Sequence, residues 1–344
     1  MHAREGMLVR IERELSVRLP RALFAPELEG PLGPPVEPEA LLTPGAGLVQ
    51  GGRMLPDALP FVRFASGDAL LLRFGPTGQP LEVVAWRGDG GWHPSDAAPG
   101  FPSAPARALA EARRALRSGL ARVADAVGRT ALAGDLGVSL ETFAGWLQDA
   151  RLVPDERRAA LRRLTGEDDA TLFTQRWDEA AAAARRAALR GDLAWPGVVL
   201  GWVAEGAADA AGAGDAYAGA LLADAPTLEP GFLPARPGEP SVRMLAEAWR
   251  RCAGAARPED PALAAALEGP RAVRTHHLAE CDRLRAAGHP GAAYRAAWRA
   301  GWRRPLPADM DDVLGRLGDA AEATGAVAHA ALARLHLRAW TSRG

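Results

Sequence analysis

Lysine is absent from this chain of 344 residues, so all 41 of its basic side chains are arginines. That absence alone excludes a Walker-type phosphate loop, which needs a lysine beside the β- and γ-phosphates. Cysteine is almost as scarce. Cys252 and Cys281 are the two present, too few for a disulfide framework, and both are expected to be reduced in a cytosol. No apolar run is long enough to span a bilayer: the longest uncharged apolar run, Leu193 to Ala204, is short and is interrupted by Pro196 and two glycines. The opening residues, Met1-His2-Ala3-Arg4-Glu5, lead into a charged helix without an apolar signal core, so a cytoplasmic location is expected. Neither G-x-S-x-G nor H-E-x-x-H occurs, and no enzyme activity is expected. Gly212-Ala213-Gly214 is not preceded by the strand that a dinucleotide loop requires and reads as small-residue helix packing. The acidic pairs Asp168-Asp169 and Asp311-Asp312 sit near helix starts, where the helix dipole accounts for them.

What is present is length, arginine and tryptophan. The chain is long enough for two or three domains. Its formal net charge is −1, yet residues 105–166 carry 11 arginines against 7 acids, whereas 1–104 carry 9 against 12 and 167–344 carry 21 against 23. Only the middle is basic. The strongest β signal lies between Leu55 and Pro94, where the runs beginning at Phe61, Ala69 and Leu81 are rich in Val, Leu and Phe and are separated by short glycine-containing loops. Such a pattern predicts an antiparallel meander. Leu8, Ile11, Leu15 and Leu19 recur at helical spacing, with Pro20 as a stop, and predict a helix that covers one sheet face.

The order of these features, with Leu19-Pro20 after the first helix, Leu59-Pro60-Phe61, the Ser66-Gly67-Asp68 hairpin, a strand ending in Trp86, and then Trp92, resembles the SUKH superfamily. That family includes yeast cell-wall assembly regulators and bacterial immunity proteins of toxin systems. The resemblance covers about residues 1–98. It implies an α+β domain without an active site that binds another protein, a toxin being one such partner. Trp86 and Trp92 flank the Gly88-Asp89-Gly90-Gly91 loop, and aromatics on a loop held by a rigid scaffold are a common recognition device. Asp68, Trp86, Asp89 and Trp92 are therefore the expected partner-binding residues.

A Pro-rich connector at 97–105 leads into helical sequence with a stripe at Leu109, Leu116, Leu120 and Val123. Residues 129–148 have helix-turn-helix spacing: Ala133 is small where two helices meet, Gly137 suits the tight turn, and Leu132, Leu136, Val138, Phe143 and Trp146 fall at buried positions. With Pro154 and the helix Asp155 to Leu164, residues 106–166 resemble a phage-repressor-type bundle. The face such a bundle would turn to a DNA groove holds Ser139, Leu140, Glu141, Ala144, Gly145 and Gln148, a poor set for reading bases. Duplex DNA is nonetheless the alternative partner, through Ser139, Gln148 and a phosphate footprint of Arg122, Arg129, Arg151, Arg157 and Arg158. The remainder, 167–344, reads as all-helical, broken by the Pro-rich segment 226–241, with hairpins around Gly288 and Gly325 suggestive of tetratricopeptide repeats. The fold class is thus α+β, with an N-terminal antiparallel sheet, a helix-turn-helix-like bundle and an all-α C-terminal region. His277 and Cys281, one helical turn apart with His276 and Glu280 beside them, have the donor types of a zinc site. A third ligand would have to come from Cys252, His329 or His336, and we expect a helix interface there, with no metal or cofactor.

Overall fold

The computed structural model describes residues 2–24, 36–42, 55–64, 68–87, 91–95, 103–148, 152–189, 193–223, 242–254, 258–301 and 310–342. Helix α1 (His2–Leu15) buries Leu8, Ile11 and Leu15 as their spacing predicts. It ends before Leu19, sooner than Pro20 requires. Ser16 takes a φ of +54° and the Val17 amide donates to the Glu12 carbonyl at 3.1 Å, a left-handed cap that closes the helix. Leu19 remains buried because the chain beyond is clamped back onto the helix: the Leu19 amide donates to Glu12 Oε1, and Arg21 donates to both Glu12 carboxylate oxygens. A 3-10 turn (Arg21–Phe24) and a short helix α2 (Pro38–Leu42) follow.

Strands β1 (Ala58–Arg63), β2 (Ala69–Phe74), β3 (Pro80–Arg87) and β4 (Gly91–Ser95) form one sheet in sequential order, each neighbour antiparallel. The meander is the predicted one with a strand added. β4 escapes the sequence pattern because Gly91 and Pro94 are poor strand formers; Pro94 is tolerated because β4 is an edge strand. β1 starts earlier than the Phe61 run suggests, and its register slips between Pro60 and Val62, leaving Phe61 as a bulge.

Both sheet faces are covered. Leu59, Leu70, Leu72 and Val83 pack with Leu8, Ile11 and Leu15 of α1. Ala58, Ala69, Leu71 and Val84 share a second cluster with Cys281, Ala296, Val313 and Leu317 from the end of the chain. The sheet and the C-terminal helices therefore share a core, although the sequence separates them widely. Within this junction Arg73 reaches Asp57 Oδ2 at 2.7 Å and Glu82 Oε1 at 2.8 Å, all three side chains being largely withdrawn from water.

The predicted helix from 106 onward is two helices, α3 (Ala104–Leu116) and α4 (Gly119–Val127). Ser118 breaks them by accepting the Ala121 amide as an N-cap. Gly119 then fits against the Thr171 carbonyl, where a Cβ would stand 1.5 Å from the oxygen. The leucine stripe is consequently shared between two cores: Leu109 and Leu116 join the C-terminal helices, Leu120 the bundle. Helices α5 (Arg129–Asp135), α6 (Leu140–Gln148), α7 (Asp155–Thr165) and α8 (Asp169–Phe173) complete that bundle.

Beyond it come α9 (Trp177–Ala188), α10 (Trp195–Gly206), α11 (Ala210–Leu222), α12 (Val242–Ala253), α13 (Pro261–Glu268), α14 (Pro270–Ala286), α15 (Pro290–Gly301), α16 (Met310–Ala323) and α17 (Val327–Thr341). Consecutive helices pack on one another as hairpins. Alanines permit close approach, as where Ala180, Ala183 and Ala184 of α9 share a cluster with Ala108, Ala112 and Ala115 of α3. The Gly212-Ala213-Gly214 run lies inside α11, as small-residue packing predicts. The last helix, α17, binds both sides of the sheet: Leu332 and Leu335 enter the α1 cluster and Ala333 the opposite one. Its Ala328 amide also donates to the Pro76 carbonyl at 3.2 Å. Among the described residues no helix is long and apolar enough to cross a membrane. The connector at 97–102 and the Pro-rich segment 226–241 lie outside the described residues.

Candidate interaction site

In an antiparallel meander alternate turns fall at the same end of the sheet. The β1–β2 turn, closed by the Phe64 amide donating to the Asp68 carbonyl at 2.9 Å, and the β3–β4 turn therefore share one end. The opposite end, the β2–β3 turn at 75–79, is occupied by the protein itself. There the Arg18 amide donates to the Gly78 carbonyl at 2.8 Å, and Gly78 lies so close to the Ser16 carbonyl that a Cβ would stand 1.9 Å from its oxygen.

At the first end the register aligns one row across all four strands: Arg63 opposite Ala69, Ala69 opposite Trp86, and Trp86 opposite Trp92. Positions 63, 86 and 92, an arginine and two tryptophans, thus fall in one row across this end of the sheet. The backbone positions of Trp86 and Trp92 are described, and Asp89 lies outside the described residues. The backbone of Asp68, Trp86 and Trp92, named from sequence, lies at this end of the sheet. Arg63 was not named. Its Nε and one terminal nitrogen are buried without a hydrogen-bond partner, and burial lowers its pKa from the ordinary arginine value. Simple alternation could not assign its face, because the bulge at Phe61 shifts every residue after it; the only signal was a charged residue within an apolar strand.

The bundle formed by α4 to α8 has the core the helix-turn-helix pattern predicts. Leu132, Ala133, Leu136, Phe143 and Trp146 are buried together, and Gly137 supplies a φ of +63° between α5 and α6. Four of the arginines named for a phosphate footprint hold bonds within the bundle. Arg157 donates to the Leu136 carbonyl at 2.6 Å, and Arg158 donates to the Val153 carbonyl and lies 4.6 Å from the centre of the Phe173 ring. Arg129 pairs with Asp125 at 2.8 Å, and Arg122 donates to the Arg117 carbonyl at 2.8 Å. Ser139 caps α6 by accepting the Thr142 amide at 3.1 Å. Gln148 ends that helix, its backbone alone being described, and Arg151 lies outside the described residues. The outward face of α6 offers Leu140, Glu141, Thr142 and Ala144.

The residues weighed for zinc are not brought together as a thiolate site. Cys281 is fully buried among apolar side chains, and His277 bonds through Nδ1 to Glu280 at 3.1 Å. Each proposed third ligand is placed elsewhere: Cys252 bonds to Glu205, His329 lies 2.9 Å from the Phe74 carbonyl and stacks on Tyr294, and His336 is buried near Asp57. Comparison of the chain with protein-family models, curated proteins and solved structures gave no match.

Proposed function

We propose that this protein is a non-enzymatic, cytosolic protein-binding adaptor of the immunity type, which occludes or scaffolds a partner such as a toxin through the loop end of its sheet. The observation that supports this most is the row Arg63, Ala69, Trp86, Trp92, with Asp68 at the adjoining turn. Trp and Arg are the residues in which binding energy concentrates at protein interfaces, and the opposite end of the sheet is held by the chain's own Arg18 and Ala328 backbone. Asp89 belongs to the same surface by sequence. The two cysteines are unpaired, in keeping with a reducing compartment. Duplex DNA is the less favoured partner, because Arg122, Arg129, Arg157 and Arg158 each already hold a bond within the bundle and the groove-facing helix presents an acid and apolar groups.

The test is a titration calorimetry measurement with the product of the adjacent gene. Wild type is expected to form a complex that Trp86→Ala and Trp92→Ala each weaken by about 2 kcal/mol, roughly thirtyfold in Kd, while Arg129→Ala binds normally. A complex insensitive to both tryptophans would overturn the proposed surface, and salt-dependent duplex binding in its place would overturn the reading as a whole.

A further inference from the structure

On helix α14, His276, His277 and Glu280 stand within one helical turn, and their ligand atoms all lie within 4.8 Å of one another. Among the described residues this is the group of His, Cys, Asp and Glu that gathers closely enough to enclose an ion. Helical spacing explains the convergence. Glu280 is three residues after His277 and four after His276, so both imidazoles lie on the stretch of helix surface its carboxylate covers.

The separations are informative. Tetrahedral coordination with bonds of about 2.0 to 2.1 Å requires neighbouring ligand atoms about 3.3 Å apart. Glu280 Oε2 is 3.1 Å from His277 Nδ1 and 3.9 Å from His276 Nε2, one edge slightly short and one slightly long. A modest rotation of the His276 side chain, more than a quarter exposed, would equalise them. The His277 ring is fixed by burial, and the rings meet edge to face at 5.0 Å. One side of the group is held by packing against α15, while His276 and Glu280 leave the other open to solvent, which gives an ion a route in and a water the fourth position. Arg299 on α15 acts electrostatically on His277 and opposes a cation, so the affinity expected is moderate.

We propose that His276, His277 and Glu280 form a binding site for a divalent transition metal, zinc by donor type, with two imidazole nitrogens, one carboxylate oxygen and an open fourth position. This differs from a Cys281 site in ligand chemistry, since that thiol is sealed in the core. It is also independent of the sheet-end surface.

The experiment is isothermal titration of the chelator-treated full chain with zinc chloride, followed by X-ray absorption at the zinc edge. One equivalent is expected to bind with a micromolar or tighter Kd and a nitrogen and oxygen shell free of sulfur. His276→Ala and Glu280→Gln, both on the half-exposed side and so compatible with folding, are expected to weaken binding about tenfold or more each. Cys252→Ser with Cys281→Ser is expected to leave it unchanged. No heat with zinc at about 100 µM, a Kd unaffected by His276→Ala and Glu280→Gln, or sulfur in the first shell would each overturn the proposal.

Discussion

Acid is expected to unfasten the sheet from the C-terminal helices through one side chain, His336. It lies on α17 in the junction that joins both ends of the chain, is 1% exposed, and neither ring nitrogen has a well-formed hydrogen bond. Burial lowers its pKa from 6.5 to about 4, against the opposing influence of the Ala58 and Leu55 backbone and the Asp57 carboxylate. Arg73 and Glu82, bonded with Asp57 in one network, are the other charges of this junction. Since the folded value is depressed, the unfolded chain binds a proton first as pH falls. Stability contributed by the neutral ring is present above about pH 6.5 and is lost as pH falls toward 4. Two and a half pH units correspond to about 3 kcal/mol in full and to about 2 kcal/mol between pH 7 and pH 5. The assay is urea unfolding of wild type and His336→Leu at both pH values. Leucine fills a similar volume without a group to ionise, so at pH 7 the variant should match or exceed wild-type stability, and at pH 5 it should lose about 2 kcal/mol less than wild type does. Equal acid losses in the two proteins would refute the reasoning, because carboxylates elsewhere contribute alike to both.

Arg73→Met should destabilise the fold by about 3 to 5 kcal/mol, since it leaves Asp57 and Glu82 withdrawn from water without their cation; an unchanged urea midpoint would show the pairs to be dispensable. Gly119→Ala should cost about 3 kcal/mol by driving a Cβ into the Thr171 carbonyl and separating α4 from α8, and thermal unfolding by circular dichroism reads it directly. In a mobility-shift titration at low salt the full chain is expected to leave duplex DNA unshifted; a salt-sensitive shift weakened by Arg129→Ala and Arg157→Ala would favour the DNA reading.

The elements legible in the sequence are those fixed by local rules. The helical hairpins turn at Gly288 and Gly325, as the breakers there predict, and both glycines take positive φ at the turns. The core of the α4 to α8 bundle was readable for the same reason, its period and its turn glycine lying in one short window. What escaped depends on distant partners. Nothing near Leu71 or Val84 indicates that their cover comes from Val313 and Leu317, and nothing near Ser118 indicates that the helix must stop so that Gly119 can meet Thr171.

The sheet-end row lies between these cases, and its physics explains why. Trp86 and Trp92 could be named from sequence because they flank a glycine loop at the end of a strand, where aromatics are a common recognition device. Arg63 could not, since its place in the row depends on the bulge two residues earlier, and a one-residue slip moves a strand residue to the other face. The arginine that completes the row was thus obscured by the irregularity that positions it. Deleting Phe61 removes the extra residue and leaves Arg63 opposite Ala69, so the row should survive while the α1 cluster loses a fully buried ring and the fold is weakened, whereas Arg63→Met should retain the fold and weaken the complex alone.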